Sequence, residues 1–314
     1  MKTKYNFLSQ NYEKNILYSG INDYHHSHVG NPDYEDSNEW EDIDDDDEDD
    51  DDDDDEEESS CHTPFEFNAP ILTSSKPYKI GVELEVEANS YDDFIQIKRK
   101  LISNWIFMEE DCSLNSLGIE CITVPLLPED ATSVDFWQDT IKYLTHHATS
   151  WKSPRTGLHI HIGREMFGSS REEQKMNISK LLYLYWYYIK DTDINTKING
   201  RSKGYGETSG KCTDVDNLLK FGADILKYAK LRKSVADKLY SHNNSCRSDI
   251  NILNGKTVEF RLGKGSESVN RIVSLITYYV LMSEFVKRSR WTSLNFGNFM
   301  SFIKAFTPEE SPLY

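Results

Sequence analysis

The run TGLHIHIGRE, Thr156 to Glu165, places His159 and His161 two residues apart. An imidazole pair at that spacing can ligate a metal ion from one face of a strand, or it can lie inside a core. Other stretches must decide between the two. In YKIGVELEVEA, Glu83 and Glu85 are also two apart; in KTVEFRLG, Glu259 and Arg261 are; and GIECITVP carries Glu120. Four carboxylates, two imidazoles and a guanidinium form a set rich in oxygen donors. Carboxylates with an imidazole suit Mg²⁺ or Mn²⁺, which favour oxygen ligands in octahedral sites, whereas a zinc hydrolase needs more histidine or cysteine. Two such ions would neutralise polyphosphate and stabilise the charge of a moving phosphoryl group. Arg261 could grip a phosphate oxygen with both arms of its fork.

This chemistry requires strands in matching phase. Around Glu83 and Glu85 the residues Ile80, Val82, Leu84 and Val86 alternate with Glu83, Glu85 and Glu87, a period of two that predicts a strand with one apolar face. Neighbouring residues of one face then lie roughly 7 Å apart. Leu158, Ile160 and Ile162 oppose the two histidines, and Val258, Phe260 and Leu262 oppose Glu259 and Arg261. Each stretch alone has a blander reading. Alternating glutamates usually make a solvated face, a lone His-x-His is more often structural, and Glu259 with Arg261 could be a cross-strand ion pair. The conjunction of four strands in phase favours the site.

The remaining pattern is mixed. Helical spacing runs over Asp92–Ile102 and Ser133–His147. Trp105–Glu110 and Gly118–Val124 read as strands joined by a turn at Asn115–Leu117. Ser169–Asp191 should be a helix with an N-cap serine and early acids. Its stripe Tyr183, Tyr185, Trp186, Tyr187 and Tyr188 reads as core rather than a base-stacking platform, so no nucleic-acid partner is expected. A helix over Asp216–Leu239, strands at Ser248–Leu253 and Thr257–Leu262, a helix over Val269–Arg288 and a short helical tail complete the chain. No internal repeat is visible. The expected fold class is α+β, an antiparallel sheet with helices on one face.

The net charge of -18 is almost wholly local: Glu41–Glu58 holds 17 carboxylates, broken only by Ile43. Taking these from the 53 acidic residues leaves 36, against 35 Lys and Arg. Residues 1–76 are polar and lack sustained periodicity, and the acidic run at 41–58 repels itself, so a disordered tail is expected, with the folded domain at 77–314. The tail would be a solubilising spacer, or an electrostatic arm for a basic partner. His25, His26 and His28 within it read as a solvated linker. No membrane span is expected, because the most apolar late stretch, Leu275–Val286, is short and holds Ser283 and Glu284. The N-terminus lacks a signal-peptide apolar core. Five scattered cysteines without a Cys-x-x-Cys pair point to a reduced, cytoplasmic compartment.

GVELEVE, GLHIHIG and TVEFRLGKGS, in this order and spacing, resemble the amidoligases of phages, bacteria and some eukaryotes, relatives of glutamine synthetase and glutamate–cysteine ligase. EEDCSLNSLGIECIT is similar to the family's Asp-Gly-Ser stretch and following Glu-bearing strand. The likeness spans Tyr78 to Arg288. It implies a glutamine-synthetase-like catalytic fold: a curved antiparallel sheet with helices on its convex face and metals on its concave side. Glu83 and Glu85 would each serve one of two Mg²⁺ ions, and Glu120 would belong to the metal site nearer the acceptor. His159 would ligate the metal that binds the ATP phosphates, with Glu259 as its carboxylate partner. Arg261 would stabilise the transferring phosphate, and His161 would contact substrate or phosphate. The implied reaction is ATP-dependent phosphorylation of a carboxylate, then attack of an amine on the acyl phosphate to give an amide. The acid and amine could belong to a small molecule, a peptide or a protein.

Some positions depart from the family. Thr156 replaces a cysteine, Asp111-Cys112-Ser113 stands for Asp-Gly-Ser, and Lys264 replaces an arginine, keeping the charge but not the bidentate fork at a phosphate or substrate contact. The Gly-rich loop Asn199–Lys211 offers Arg201, Lys203 and Lys211. It reads as a surface loop, or as a lid with Arg201 as a catalytic group. Two other functions stay open: a metal-dependent hydrolase using His159 and His161, and a catalytically inactive interaction protein. Against the hydrolase, only His242 follows His161.

Overall fold

The computed structural model describes residues 63–64, 78–101, 105–110, 114–201 and 211–306. All belong to one compact unit, Cys61–Tyr314. The acidic run 41–58, the histidines at 25, 26 and 28, the stretch 111–113 and the loop residues 202–210 lie outside the described residues. The strands are β1 (Thr63–Pro64), β2 (Ile80–Ala88), β3 (Ile106–Glu110), β4 (Gly118–Thr123), β5 (Ala148–Thr149), β6 (Gly157–Gly163), β7 (Ile250–Asn251) and β8 (Thr257–Lys264). The α-helices are α1 (Tyr91–Leu101), α2 (Pro128–Ala131), α3 (Val134–His147), α4 (Arg171–Leu184), α5 (Asp193–Asn199), α6 (Thr213–Leu219), α7 (Ala229–His242), α8 (Val269–Arg288) and α9 (Phe296–Phe306).

Among the described residues the strands form one open sheet in the order β1-β3-β4-β2-β6-β8-β7, and β5 pairs with the end of β2. Every pairing is antiparallel. The architecture is therefore α+β. β1 lies within the stretch assigned to the tail; two residues are too few to show alternation.

The apolar phase drives the layering. Ile80, Val82, Leu84 and Val86 of β2 and Leu158, Ile160 and Ile162 of β6 are all buried. The Phe260 ring of β8 stacks on Tyr279 of α8 at 4.1 Å, so α8 covers this face; stacked aromatic pairs of this kind add about 1 kcal/mol beyond their buried area. α8 is the one helix among the described residues long and apolar enough to cross a membrane. Its buried side chains, including Ile272, Ile276, Tyr279 and Met282, make it a core helix of this layer.

Several elements differ from expectation. The expected N-cap serine of α4 is Ser170, its Oγ accepting from Glu173 N at 3.2 Å, so the helix begins at Arg171. The helix then widens into a π turn at Tyr185–Ile189. Tyr183, Tyr185 and Trp186 of the aromatic stripe are buried as core, while Tyr187 and Tyr188 are half-buried. The helix expected over 216–239 is broken into α6, a 3₁₀ turn at Ala223–Lys227 and α7. Gly222 at the break has φ 92°, outside the helical range.

β6 and β8 pair with a bulge between Leu158 and Ile160: Leu158 stands opposite Gly263, but Ile160 opposite Phe260. Gly263 thereby takes the apolar phase that simple alternation gives to Leu262. A Cβ at Gly263 would press on the Leu158 carbonyl oxygen and lie 2.5 Å from Leu275 Cδ2 of α8. Gly263→Ala should therefore lower stability by about 2–3 kcal/mol, the usual cost of overpacking, read as a lower urea midpoint. Gly255→Ala, where a Cβ meets open space, is the matched control; equal midpoints for the two variants would refute the close approach.

Candidate metal centre

The central strands carry the functional side chains in phase. Glu85 of β2 stands opposite Glu120 of β4. Glu83 of β2 stands opposite His159 of β6, and His161 of β6 opposite Glu259 of β8. Because side chains alternate between faces, these pairs share one face, opposite the helices. Glu83, Glu85, Glu120, His159, His161 and Glu259 are only 3–7% exposed. A solvated face is thereby excluded for these glutamates. Buried ionisable groups persist only when paired or ligating.

Glu83 lies at the centre. Its Oε2 is 3.1 Å from His159 Nδ1 and its Oε1 is 2.8 Å from His161 Nε2. Glu259 Oε1 is 3.7 Å from His159 Nδ1 and 3.9 Å from His161 Nε2. Glu85 Oε1 is 3.7 Å from His159 Nε2, and its other oxygen accepts a hydrogen bond from Gly157 N. Two groups of potential ligand atoms each fall within 4.8 Å: Glu83, His161 and Glu259; and Glu83, Glu120 and His159. Glu83 belongs to both. Each group offers two carboxylates and one imidazole, a donor set that fits Mg²⁺ or Mn²⁺ better than zinc. The resemblance pairs His159 with Glu259; within the 4.8 Å groups it is His161 that joins Glu259.

Charge balance follows from the same contacts. Burial opposes ionisation of Glu83, but His161 and the hydrogen bonds from His159 outweigh it and hold the carboxyl well below its usual range. Burial likewise opposes the charge of Glu259, and Arg261 followed by His161 brings its carboxyl down. For His161, burial favours the neutral ring, yet Glu83 and Glu259 raise its pKa above the ordinary histidine value. Glu83 and Glu259 are thus held toward the ionised form, and a divalent ion entering here would take the place of the His161 proton, because an imidazole ligates only when neutral.

Supporting residues hold this arrangement. Asn251 Nδ2 donates to Glu259 Oε2 at 2.8 Å, and Thr257 Oγ1 lies 3.4 Å from His161 Nδ1. Such outer partners orient ligands. Arg261 Nη1 pairs with Glu259 Oε1, and the Arg261 side chain is 34% exposed. The Arg261 N–H donates to Asp249 O at 2.9 Å. The Asp249 carboxylate is held in turn by Tyr185 Oη at 3.2 Å, in the π turn, and by Lys190 Nζ at 3.1 Å.

Arg201 follows Gly200, whose φ of 76° ends α5. Its guanidinium donates to three successive carbonyls of the bulged strand, Arg261 O at 3.1 Å, Leu262 O at 2.8 Å and Gly263 O at 2.7 Å. It braces the backbone that carries Glu259 and Arg261. Lys264 stands opposite Gly157, and its ammonium sits 4.4 Å from the centroid of the Trp151 ring, which also carries the Arg271 guanidinium at 4.2 Å. Lys211 Nζ lies over Tyr187 at 5.7 Å. Lys203 and the rest of the glycine-rich loop are outside the described residues.

Sequence reasoning missed several members. Glu109 of β3 stands opposite Glu120 and is 6% exposed, extending the carboxylate row across a third strand. No local signal marks it, because Phe107 in the same phase is apolar and buried. Asn251 sits between two buried isoleucines, a polar residue in phase with Glu259. Neither a scan against protein-family models nor a search of the curated proteins finds a match for this chain.

Proposed function

We propose that the polar face of the sheet is the catalytic site of an ATP-dependent amidoligase, joining a carboxylate to an amine. The observation that carries this reading is the sharing of Glu83 between two buried donor groups, each of two carboxylates and one imidazole, with the Arg261 guanidinium beside them. Mg²⁺-ATP would supply the phosphoryl group that turns the acid into an acyl phosphate. Glu83, Glu120, His159, His161 and Glu259 would hold the two cations, with Glu85 beside His159. Arg261, anchored on Glu259 and partly open to solvent, would orient an anionic oxygen of nucleotide or acyl phosphate. The reading includes a glutamine-synthetase-like curvature of the sheet and a cytoplasmic location, where nucleotide is abundant and thiols such as Cys121, Cys212 and Cys246 stay free. The division of His159 and His161 between the two donor groups speaks against a hydrolase that uses both on one ion.

The test is a screen of amino acids and peptides for Mg²⁺-dependent ADP formation, with mass spectrometry of the products. The expected result is ADP release that needs both an acid and an amine, together with a product of their summed mass less one water. Glu259→Gln should abolish it. ADP formation that no acid–amine pair raises above the rate with ATP alone would refute the reading.

A further inference from the structure

The helical layer holds a second feature, remote in sequence from every residue of the carboxylate cluster. A cavity of about 680 Å³ is lined by residues of α4, α7, the 3₁₀ turn and the segment after α8. Its mostly apolar lining includes four basic residues, Lys180, Lys227, Arg232 and Arg290, together with Met176 and Trp291; none of the described lining residues is acidic. Lys227 pairs with Asp224 at 2.7 Å. Among the described residues, Lys180, Arg232 and Arg290 form no ion pair.

Two of these cations are fixed by backbone. Lys180 Nζ donates to Asn177 Oδ1 at 3.0 Å, Val286 O at 3.2 Å and Ser289 O at 2.9 Å. Arg232 Nη1 donates to Leu226 O at 3.1 Å and Lys227 O at 2.7 Å. These contacts cap chain ends, but carbonyl dipoles do not cancel a full charge. Burial first, and then Arg232, hold the Lys180 ammonium below the ordinary lysine range. Cations around a partly apolar cleft give it a positive potential that Glu173, acting on Lys180, offsets only in part, and an anion is the species that relieves it. Met176 and Trp291 supply apolar surface for the remainder of such a ligand.

We propose that this cavity binds a small organic anion, a phosphate, sulfonate or carboxylate carried on an apolar or aromatic group, with Arg232 and Arg290 as its charge contacts. The probe is 8-anilinonaphthalene-1-sulfonate, titrated into the full chain by fluorescence, with phenyl phosphate, benzoate, inorganic phosphate and neutral phenol as competitors. The expected result is saturable binding displaced by phenyl phosphate or benzoate and not by phenol. Arg290→Gln, at an exposed position, should weaken binding about tenfold, as loss of one charge-assisted contact does. Arg232→Gln should weaken it further, and Mn²⁺ binding at the sheet should be unchanged in both. Absence of saturable binding, equal displacement by phenol, or unchanged affinity in Arg290→Gln would overturn the proposal. Displacement by inorganic phosphate as effective as by phenyl phosphate would overturn the apolar part of it. Because Arg290→Gln touches no residue of the carboxylate cluster, its outcome is independent of the ligase reading.

Discussion

Glu83→Gln is expected to remove divalent-cation binding at both candidate positions at once. The reason is geometric. The Glu83 carboxylate supplies a ligand atom to the group with His161 and Glu259 and to the group with Glu120 and His159. Glutamine keeps the shape but offers one neutral oxygen, so both ions lose the anionic ligand they share. Glu259→Gln and Glu120→Gln each touch one group only. Titration with Mn²⁺, followed by calorimetry or electron paramagnetic resonance, should show two ions on the native chain, none on Glu83→Gln and one on each of the other variants. Mg²⁺-dependent ADP formation in Glu83→Gln should fall by about three orders of magnitude or more, equivalent to about 4 kcal/mol of lost transition-state stabilisation. Two ions still bound by Glu83→Gln would refute the shared-ligand geometry. Circular dichroism separates this from unfolding, because the substitution is close to isosteric.

Arg201→Ala should produce the second large effect, through the backbone. One guanidinium satisfies the carbonyls of Arg261, Leu262 and Gly263. Removing it leaves polar groups of a bulged, largely buried strand without this donor. Hydrogen bonds from charged groups contribute about 1.5–3 kcal/mol, and the three here share one donor head, so a loss of about 3 kcal/mol is expected. A urea titration measures it. The same change should loosen β8 and weaken Mn²⁺ at the Glu259 side while the Glu120 side persists. Arg201→Lys keeps the charge without the planar fork, and should lie between the two. A variant that loses ADP formation but keeps full stability and both Mn²⁺ ions would instead make Arg201 a direct contact of the reacting groups.

Much of this centre was legible because its strands follow a strict period. Glu83 and Glu85 alternate with residues of one apolar face, and so do His159 and His161, so their common face could be read from two short motifs. The boundaries of α8 follow its apolar periodicity and were legible for the same reason. Three things were hidden. The bulge at Arg261 and Leu262 depends on pairing with Leu158 and Ile160, and no local signal marks it. Gly222 breaks α6 from α7 inside a run whose apolar spacing looks continuous. The contact of Arg201 with β8 joins residues about sixty positions apart, and composition is silent about such a distance. Glu109 was no more legible, since only its register opposite Glu120 gives it meaning.

The bulge in β8 also bears on portability. Two independently phased half-strands meet at Arg261 and Leu262: the first presents Glu259 and Arg261, and the second turns Gly263 to the helices. A one-residue deletion there would restore regular pairing with Gly263 still opposite Leu158, but would remove one of the two residues, Arg261 and Leu262, that share the place opposite His159. Grafting this centre onto another sheet would therefore fail if only GLHIHIG and TVEFRLG were moved. The transferable unit is a discontinuous one, two strands together with the distant arginine that clamps their irregularity.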